Sequence, residues 1–346
     1  MSSYVCYRLP EQLVYTRLVQ HRGHPDELAT IEQLSGRHGF VLAPFAPDDH
    51  FPVLLLRPDT EEQLPIPEAS EVSANDSVSV SCAEDRASYA SDFHTFHEQL
   101  CAGTFRKLVL ARSMLVERPS QTSAEALFLR ACQLYPHLMV ALVSTPVSGT
   151  WLMATPEVLL RGDGHRWHTM ALAGTMKFDK TLLTNESRGV EWSDKDLREQ
   201  HLVASYLEDL LQQYAEDITE KGPVTSRAAD LVHLRSDFSF RLHPHVSIGL
   251  LLQALHPTPA VCGLPKNEAR SFILANEHTQ RGYYSGFCGP LAWHGDTRLY
   301  VSLRCMQVLP ETCRLFAGGG LLADSLEATE WQETKNKFNT MLHVLR

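Results

Sequence analysis

Residues 138–154 read LMVALVSTPVSGTWLMA. Two aliphatic runs, Leu138 to Ser144 and Trp151 to Ala154, flank Pro146 to Gly149, where Pro, Ser and Gly favour a tight reversal. Each run is short for a helix, and the connection is too short for a crossover, so the pair reads as an antiparallel hairpin. Outward from it the pattern recurs. Arg106 to Glu117 (RKLVLARSMLVE) is β-branched and aliphatic, a strand. Another strand ends at Gly174, and Ser285 to Ala292 and Arg298 to Val308 read as strands. Arg314 to Phe316 adds a short one before a glycine run, and a final helix starts near Leu326. Between them lie helices. Tyr89, Phe93, Phe96 and Leu100 fall at i, i+4, i+7 and i+11, on a helix that ends near Gly103. Thr122 and Glu125 form a capping box for a helix through Cys132, and a long helix runs from about Lys195 to Tyr214. Strands joined by hairpins favour an α+β domain with large antiparallel sheets over a doubly wound parallel sheet.

The first 57 residues read as short strands (Phe40 to Ala43, Val53 to Leu56) and loops. Arg57 to about Asp85 is acidic and Ser/Pro-rich and reads as a surface linker. Residues 1–84 are therefore taken as strands and linker that complete the sheets, and 85–346 as the catalytic region of one compact domain. The net charge of −10 argues against general nucleic-acid binding, and an anionic ligand would need a local cluster of cations. No apolar run approaches a membrane span, and the start has no signal-peptide pattern, so a cytoplasmic location is expected. The eight cysteines form no C-x-x-C pair and read as small buried hydrophobes rather than disulfides. The seventeen histidines show no convincing zinc spacing.

The informative residues are polar groups on faces that should be apolar. In the long helix, stepping back from Val203 by helical spacing gives Glu199 and Asp196. In the last helix the same step back from Met341 gives Lys337, Glu333 and Glu330. Four acids and one lysine thus point inward. An interhelical salt-bridge set is one explanation; a hard cation held by carboxylates is the other. Lys107 opens the strand KLVLA as an edge-strand gatekeeper or as a desolvated amine fit for base catalysis. Glu157, between Pro156 and the apolar Val158 to Leu160, is a turn acid or a catalytic acid. Gly318 to Gly320 reads as a loop that lets backbone approach a ligand and offers N–H groups to an anion.

Eight segments in order resemble the chorismate-utilising enzymes, and within them the isochorismate synthases most closely. They are FRKLVLAR (105–112), ATPEVLLR (154–161), ALAGT (171–175), SDKDLREQHLV (193–203), LHPTPAVCGLP (255–265), RGYYSGFCG (281–289), VSLRCMQV (301–308) and LFAGGGLLADS with EWQETKNK (315–337). The resemblance implies two packed antiparallel sheets with helices on their outer faces and a central chorismate cleft with Mg²⁺. It implies Glu199 and Glu333 as metal ligands, with Glu330 and Asp196 close by. Tyr284, Arg304 and Lys337 would hold the substrate carboxylates, and Gly174, Thr175 and Gly318 would supply backbone and hydroxyl contacts. Lys107 matches the base and Glu157 the acid. Departures are Gln200 where the family usually has His, the run Ala317-Gly318-Gly319-Gly320 for A-G-A-G, and Met176-Lys177 after A-G-T. Gln200 is expected to loosen the support of the metal.

The resemblance also narrows the nucleophile. Aminodeoxychorismate synthases carry a lysine where Ala173 stands, and the ammonia-using anthranilate synthases lack a lysine at the position of Lys107, so water is expected and no amidotransferase subunit. The reaction would be isochorismate synthase chemistry: water adds at C2 and the C4 hydroxyl leaves. A salicylate synthase, which goes on to eliminate pyruvate, and an inactive chorismate-binding homologue are the alternatives. A monomer is expected. The pathway served (menaquinone, siderophore or salicylate) stays open.

Overall fold

The computed structural model describes residues 3–68, 85–119, 122–177, 191–228 and 231–346. Its described strands form two nine-stranded sheets in which neighbouring strands pair antiparallel. The first runs, in spatial order, Gly263–Leu264, Lys107–Glu117, Thr312–Leu321, Cys305–Val308, Gly149–Thr155, Met139–Thr145, Ser3–Arg8, Val14–Gln20 and Thr60–Pro65. The second runs Ala215–Ala228, Leu231–Leu242, Trp167–Lys177, Val158–Gly162, Thr297–Val301, Phe287–Leu291, Gly39–Ala43, Val53–Leu56 and Asp26–Leu28.

The sheets pack face to face over Val5, Leu42, Ala141, Met153, Tyr283 and Phe316. Helices Asp194–Tyr214 and Ile248–Leu255 cover the outer face of the second sheet through Val203, Leu207, Leu211 and Leu251. Helices Ala124–Leu134 and Glu327–Leu345 cover the outer face of the first through Phe128, Phe338 and Met341. Strands such as Met139–Thr145 are therefore buried on both faces, which is why they read as unbroken apolar runs. Helices Arg86–Cys101 and Lys266–Asn276 close the end near Leu108 and Leu110.

Several expectations change. The segment after Arg57 is not all linker: Thr60–Pro65 is an exposed edge strand paired with Val14–Gln20, and its acidic residues suit an edge that must not recruit other strands. Residues 69–84 of that segment lie outside the described residues. The N-cap is Ser123, not Thr122; its hydroxyl accepts from Ala126 N at 3.1 Å. Seven cysteines are free thiols among the described residues, but Cys101 is exposed at a helix end beside His97 rather than buried.

Two departures shape the site. Arg298 to Val308 is not one strand. Thr297–Val301 belongs to the second sheet and Cys305–Val308 to the first, and the chain crosses between them at Ser302 to Arg304, where Arg304 has φ +43°. Alongside, Gly149–Thr155 in the first sheet passes through Pro156 and Glu157 into Val158–Gly162 in the second. The crossings are bonded to each other: Ala154 N donates to Arg304 O (3.1 Å) and Val301 N to Glu157 O (2.9 Å). The glycine run is likewise no loop. It lies inside Thr312–Leu321, with Gly318 opposite Ala111, Gly319 opposite Leu110 and Gly320 opposite Val109. It is therefore strand backbone rather than a turn-shaped nest, paired on one side, while the neighbouring strand on the other side stops opposite Phe316.

Candidate active site

The glycine run is needed for space rather than for turning. A Cβ on Gly320 would lie 2.1 Å from Glu199 Oε1, and one on Gly318 would lie 2.9 Å from the Tyr284 hydroxyl. A Cβ on Gly319 would meet Glu330 Oε2 at 3.3 Å and Glu333 Oε1 at 3.8 Å. The strand is thus hollowed where three glutamates, brought in by the two long helices, press against it.

Each of these glutamates faces a lysine. Lys107 Nζ lies 2.9 Å from Glu199 Oε1, with Lys107 wholly buried and Glu199 nearly so. Lys337 Nζ lies 2.6 Å from Glu333 Oε1 and donates to Gly318 O at 2.8 Å. Lys195, which the periodicity did not single out, reaches across from the other helix to Glu330 Oε1. The interhelical salt-bridge reading is therefore partly realised. Burial pushes the Glu199 carboxyl up, but Lys107, Lys195 and Lys337 outweigh it and hold it below its ordinary value. Burial and then the neighbouring Glu333 raise Glu330. Its Oε2 is buried without a partner. Lys107 is wholly buried beneath Glu199, which excludes the exposed edge-gatekeeper role.

The opposite wall comes from the sheet crossings. Glu157 is no exposed turn acid; it is 2% exposed. Burial raises its carboxyl to about 7 against the pull of Lys107 and Arg304, with Thr258 donating at a long 3.4 Å. Arg304 is buried beside it. Gly174, with φ +68°, marks the irregularity between Ala173 and Met176 in the pairing of Trp167–Lys177. Tyr284 stacks on Phe316, centroids 5.4 Å apart. Among the described residues, Glu157, Gly174, Thr175, Glu199, Tyr284, Arg304, Gly318, Glu333 and Lys337 line one pocket. As it stands the pocket is tight, with about 50 Å³ of free space, so its lining must shift to admit a ring.

Three expected residues sit elsewhere. Lys107 and Glu330 lie just behind the lining. Asp196 stands apart from the lysine–glutamate group: it accepts from the Ser193 hydroxyl at the helix N-cap, and its side chain packs toward Gly174. Gln200 is not turned to the acids; its amide donates at 3.3 Å to Ala171 O and Ser236 Oγ, tying the helix to the second sheet.

His233 was missed. Its Nδ1 lies 2.9 Å from Gly174 O, and a carbonyl only accepts, so Nδ1 carries the proton. Nε2 then accepts from Arg304 Nη2 at 2.9 Å. Burial, then Arg304 and Lys337, keep the imidazole neutral, its pKa well below the ordinary value. The signal was present: Val232-His233-Leu234 places a histidine inside a buried strand.

The pocket thus offers cations (Arg304, Lys337), a protonatable buried carboxyl and an oxygen-only acid group, a setting for a small ring-sized anion. The comparisons agree. A family profile described as chorismate binding enzyme matches residues 54–346. The chain belongs to the chorismate binding enzyme family. It is 33% identical over 258 residues to the isochorismate synthase DhbC of Bacillus subtilis, covering 71% of this chain and 65% of that one. It is 32% identical over 199 residues to the isochorismate synthase EntC of Escherichia coli K12, covering 57% and 51%. These matches span less than two thirds of either relative. The solved structure of DhbC from Bacillus anthracis superposes with TM-score 0.82 at 25% identity, over 99% of this chain and 96% of that one. Anthranilate synthase component I of Streptococcus pneumoniae shares the fold at TM-score 0.70 and 18% identity, over 99% and 92%.

Proposed function

We propose that this protein is an isochorismate synthase, which adds water at C2 of chorismate and releases the C4 hydroxyl. The observation that carries the reading is Glu157: a buried carboxyl raised to about 7 that lines the same pocket as Glu199, Glu333, Arg304 and Lys337. Relatives named isochorismate synthase support it.

In this reading Arg304 and Lys337 bind the substrate carboxylates and orient the ring. Arg304 can hold a planar carboxylate through two parallel hydrogen bonds. His233 fixes its guanidinium, and the Tyr284 hydroxyl, beside Gly318, would help hold a substrate carboxylate. Glu157 gives its proton to the departing C4 oxygen as the C4–O bond breaks. Lys107 takes a proton from the water whose oxygen bonds to C2. A lysine paired with a carboxylate is a poor base, so Glu199 must be engaged elsewhere when Lys107 acts.

Mg²⁺ fits the acid group. Among the described residues no ready-made metal cluster exists, since each glutamate is turned to a lysine. However, Glu330 Oε2 has no partner, and Gly319 and Gly320 keep the space beside the glutamates free of side chains. An oxygen-only donor set suits a hard cation. Glu199, Glu330 and Glu333 would hold it. When bound, Mg²⁺ supplies positive charge to neutralise a substrate carboxylate.

The test is purified protein with chorismate and Mg²⁺, with products separated by chromatography over time. Isochorismate should rise to a fixed ratio with chorismate. Stoichiometric pyruvate with salicylate would make the protein a salicylate synthase, and no turnover would make it a binding protein. Ala260 and Val261 form part of the pocket wall against which that outcome would be decided.

A further inference from the structure

Three strands of the second sheet each carry a pocket group toward one end and a basic side chain, arginine or neutral histidine, toward the other. Val158–Gly162 leaves Glu157 and ends with Arg161. Trp167–Lys177 holds His168 near its start and Gly174 six residues later. Thr297–Val301 begins beside Arg298 and leads into Arg304. At about 3.3 Å per residue, these basic side chains sit roughly 13–20 Å from the pocket.

At that far end Arg161 stands directly opposite His168 on one side and Arg298 on the other. Like charges directly opposite on neighbouring strands are destabilising. Arg166 joins them, and the four line a cleft of about 260 Å³ with Asp163 and Asp296. Those two acids are committed. Asp296 Oδ2 accepts from Arg298 Nε at 2.7 Å, while Asp163 Oδ1 accepts the backbone N–H groups of His165 and Arg166. Arg166 donates to Ser239 Oγ at 2.7 Å. Among the described residues Arg161 has no counterion. His168 is held below its ordinary pKa, by burial and then by Arg161 and Arg166, so it stays neutral and able to donate one hydrogen bond.

We propose that this cleft is a second anion site, which takes a small oxyanion of phosphate type between Arg161, Arg298 and His168. Guanidinium forks match phosphate oxygens two at a time. A chain of net charge −10 binds such an anion only where cations are gathered locally, as here.

The test is calorimetric titration of inorganic phosphate, and separately of glycerol phosphate, into the full-length protein at low ionic strength. Saturable binding is expected, weakened at least tenfold by Arg161→Gln and abolished by Arg161→Glu, with turnover of chorismate unchanged without added anion. The tighter of the two ligands shows whether free phosphate or a phosphate ester is the source. Absence of saturable binding for both would overturn the proposal. So would binding that survives Arg161→Glu or is displaced by chorismate, which would place the anion in the active-site pocket, and so would binding of an acidic peptide alone.

Discussion

Two buried sets of opposite charges flank the strand Lys107–Glu117, and they differ in completeness. On one side, Arg281 donates Nε to Glu277 Oε2 (2.6 Å), Nη1 to Val261 O and Nη2 to Val109 O and Glu277 Oε1 (each 2.7 Å). Glu277 Oε1 also accepts from Ala111 N at 2.7 Å. The short strand Gly263–Leu264 covers only Lys107 and Leu108, so this pair stands in for the missing ladder beyond it. On the other side, the lysine–glutamate set keeps an unpartnered Glu330 oxygen and no aligned hydrogen bond for Lys107 Nζ. A saturated set holds structure; an unsaturated one has capacity left for a ligand.

Substitutions can break that contrast. The largest effect is expected on turnover: Glu157→Gln and Lys107→Ala should each reduce kcat about 10²–10⁴-fold, the scale of general acid–base catalysis. Near-normal steady-state rates in either would remove that residue from its role. Next comes stability. Glu277→Gln should cost about 3–5 kcal/mol in urea unfolding, because it strands the buried Arg281 charge. A loss below about 1 kcal/mol would show the pair to be dispensable.

Glu333→Gln should do the reverse. Because Glu333 raises its neighbour Glu330, its removal should leave metal-free stability unchanged within about 0.5 kcal/mol, while the Mg²⁺ concentration for half-maximal rate rises at least tenfold. Unchanged Mg²⁺ dependence would exclude Glu333 as a ligand.

The acid gives a pH signature of similar size. Glu157 binds its proton more tightly folded than unfolded, with the carboxyl at about 7 rather than 4.5. Its stabilisation is therefore complete below about pH 4.5 and is lost as pH rises toward 7, a change on the order of 3 kcal/mol. Wild-type protein should lose stability relative to Glu157→Gln across that window, and kcat should fall as pH rises through about 7. A flat difference would refute the raised value.

Much of this was legible because helices and strands bury residues with fixed periods. Helical spacing alone put Glu199 on the core face of one helix and Glu330 and Glu333 on the core face of another, and the hairpin pattern pointed to antiparallel sheets. What stayed hidden depended on partners distant in sequence. Nothing local marks Ser302 to Arg304 as a crossing, since Val301, Leu303 and Cys305 keep a strand-like alternation through it and only the sheet assignments separate the two halves. Gly318 to Gly320 looked like a loop because glycine usually breaks strands. Here the glutamates of two helices occupy the volume its side chains would need. Lys195 was overlooked because its partner lies on the other long helix. Asp196 shared the helical stripe but is spent on the N-cap, which a wheel projection does not distinguish from a ligand.

The pairing of Lys107–Glu117 with Thr312–Leu321 has a consequence for biosynthesis. Leu108 meets Leu321, more than two hundred positions later. At about 5–20 residues per second, a ribosome delivers the second strand roughly 10–40 s after the first. Through that interval the apolar Leu108 to Ala111 must be shielded without its ladder partner, and Glu333 cannot be held against the hollowed strand until residues 312–337 have emerged.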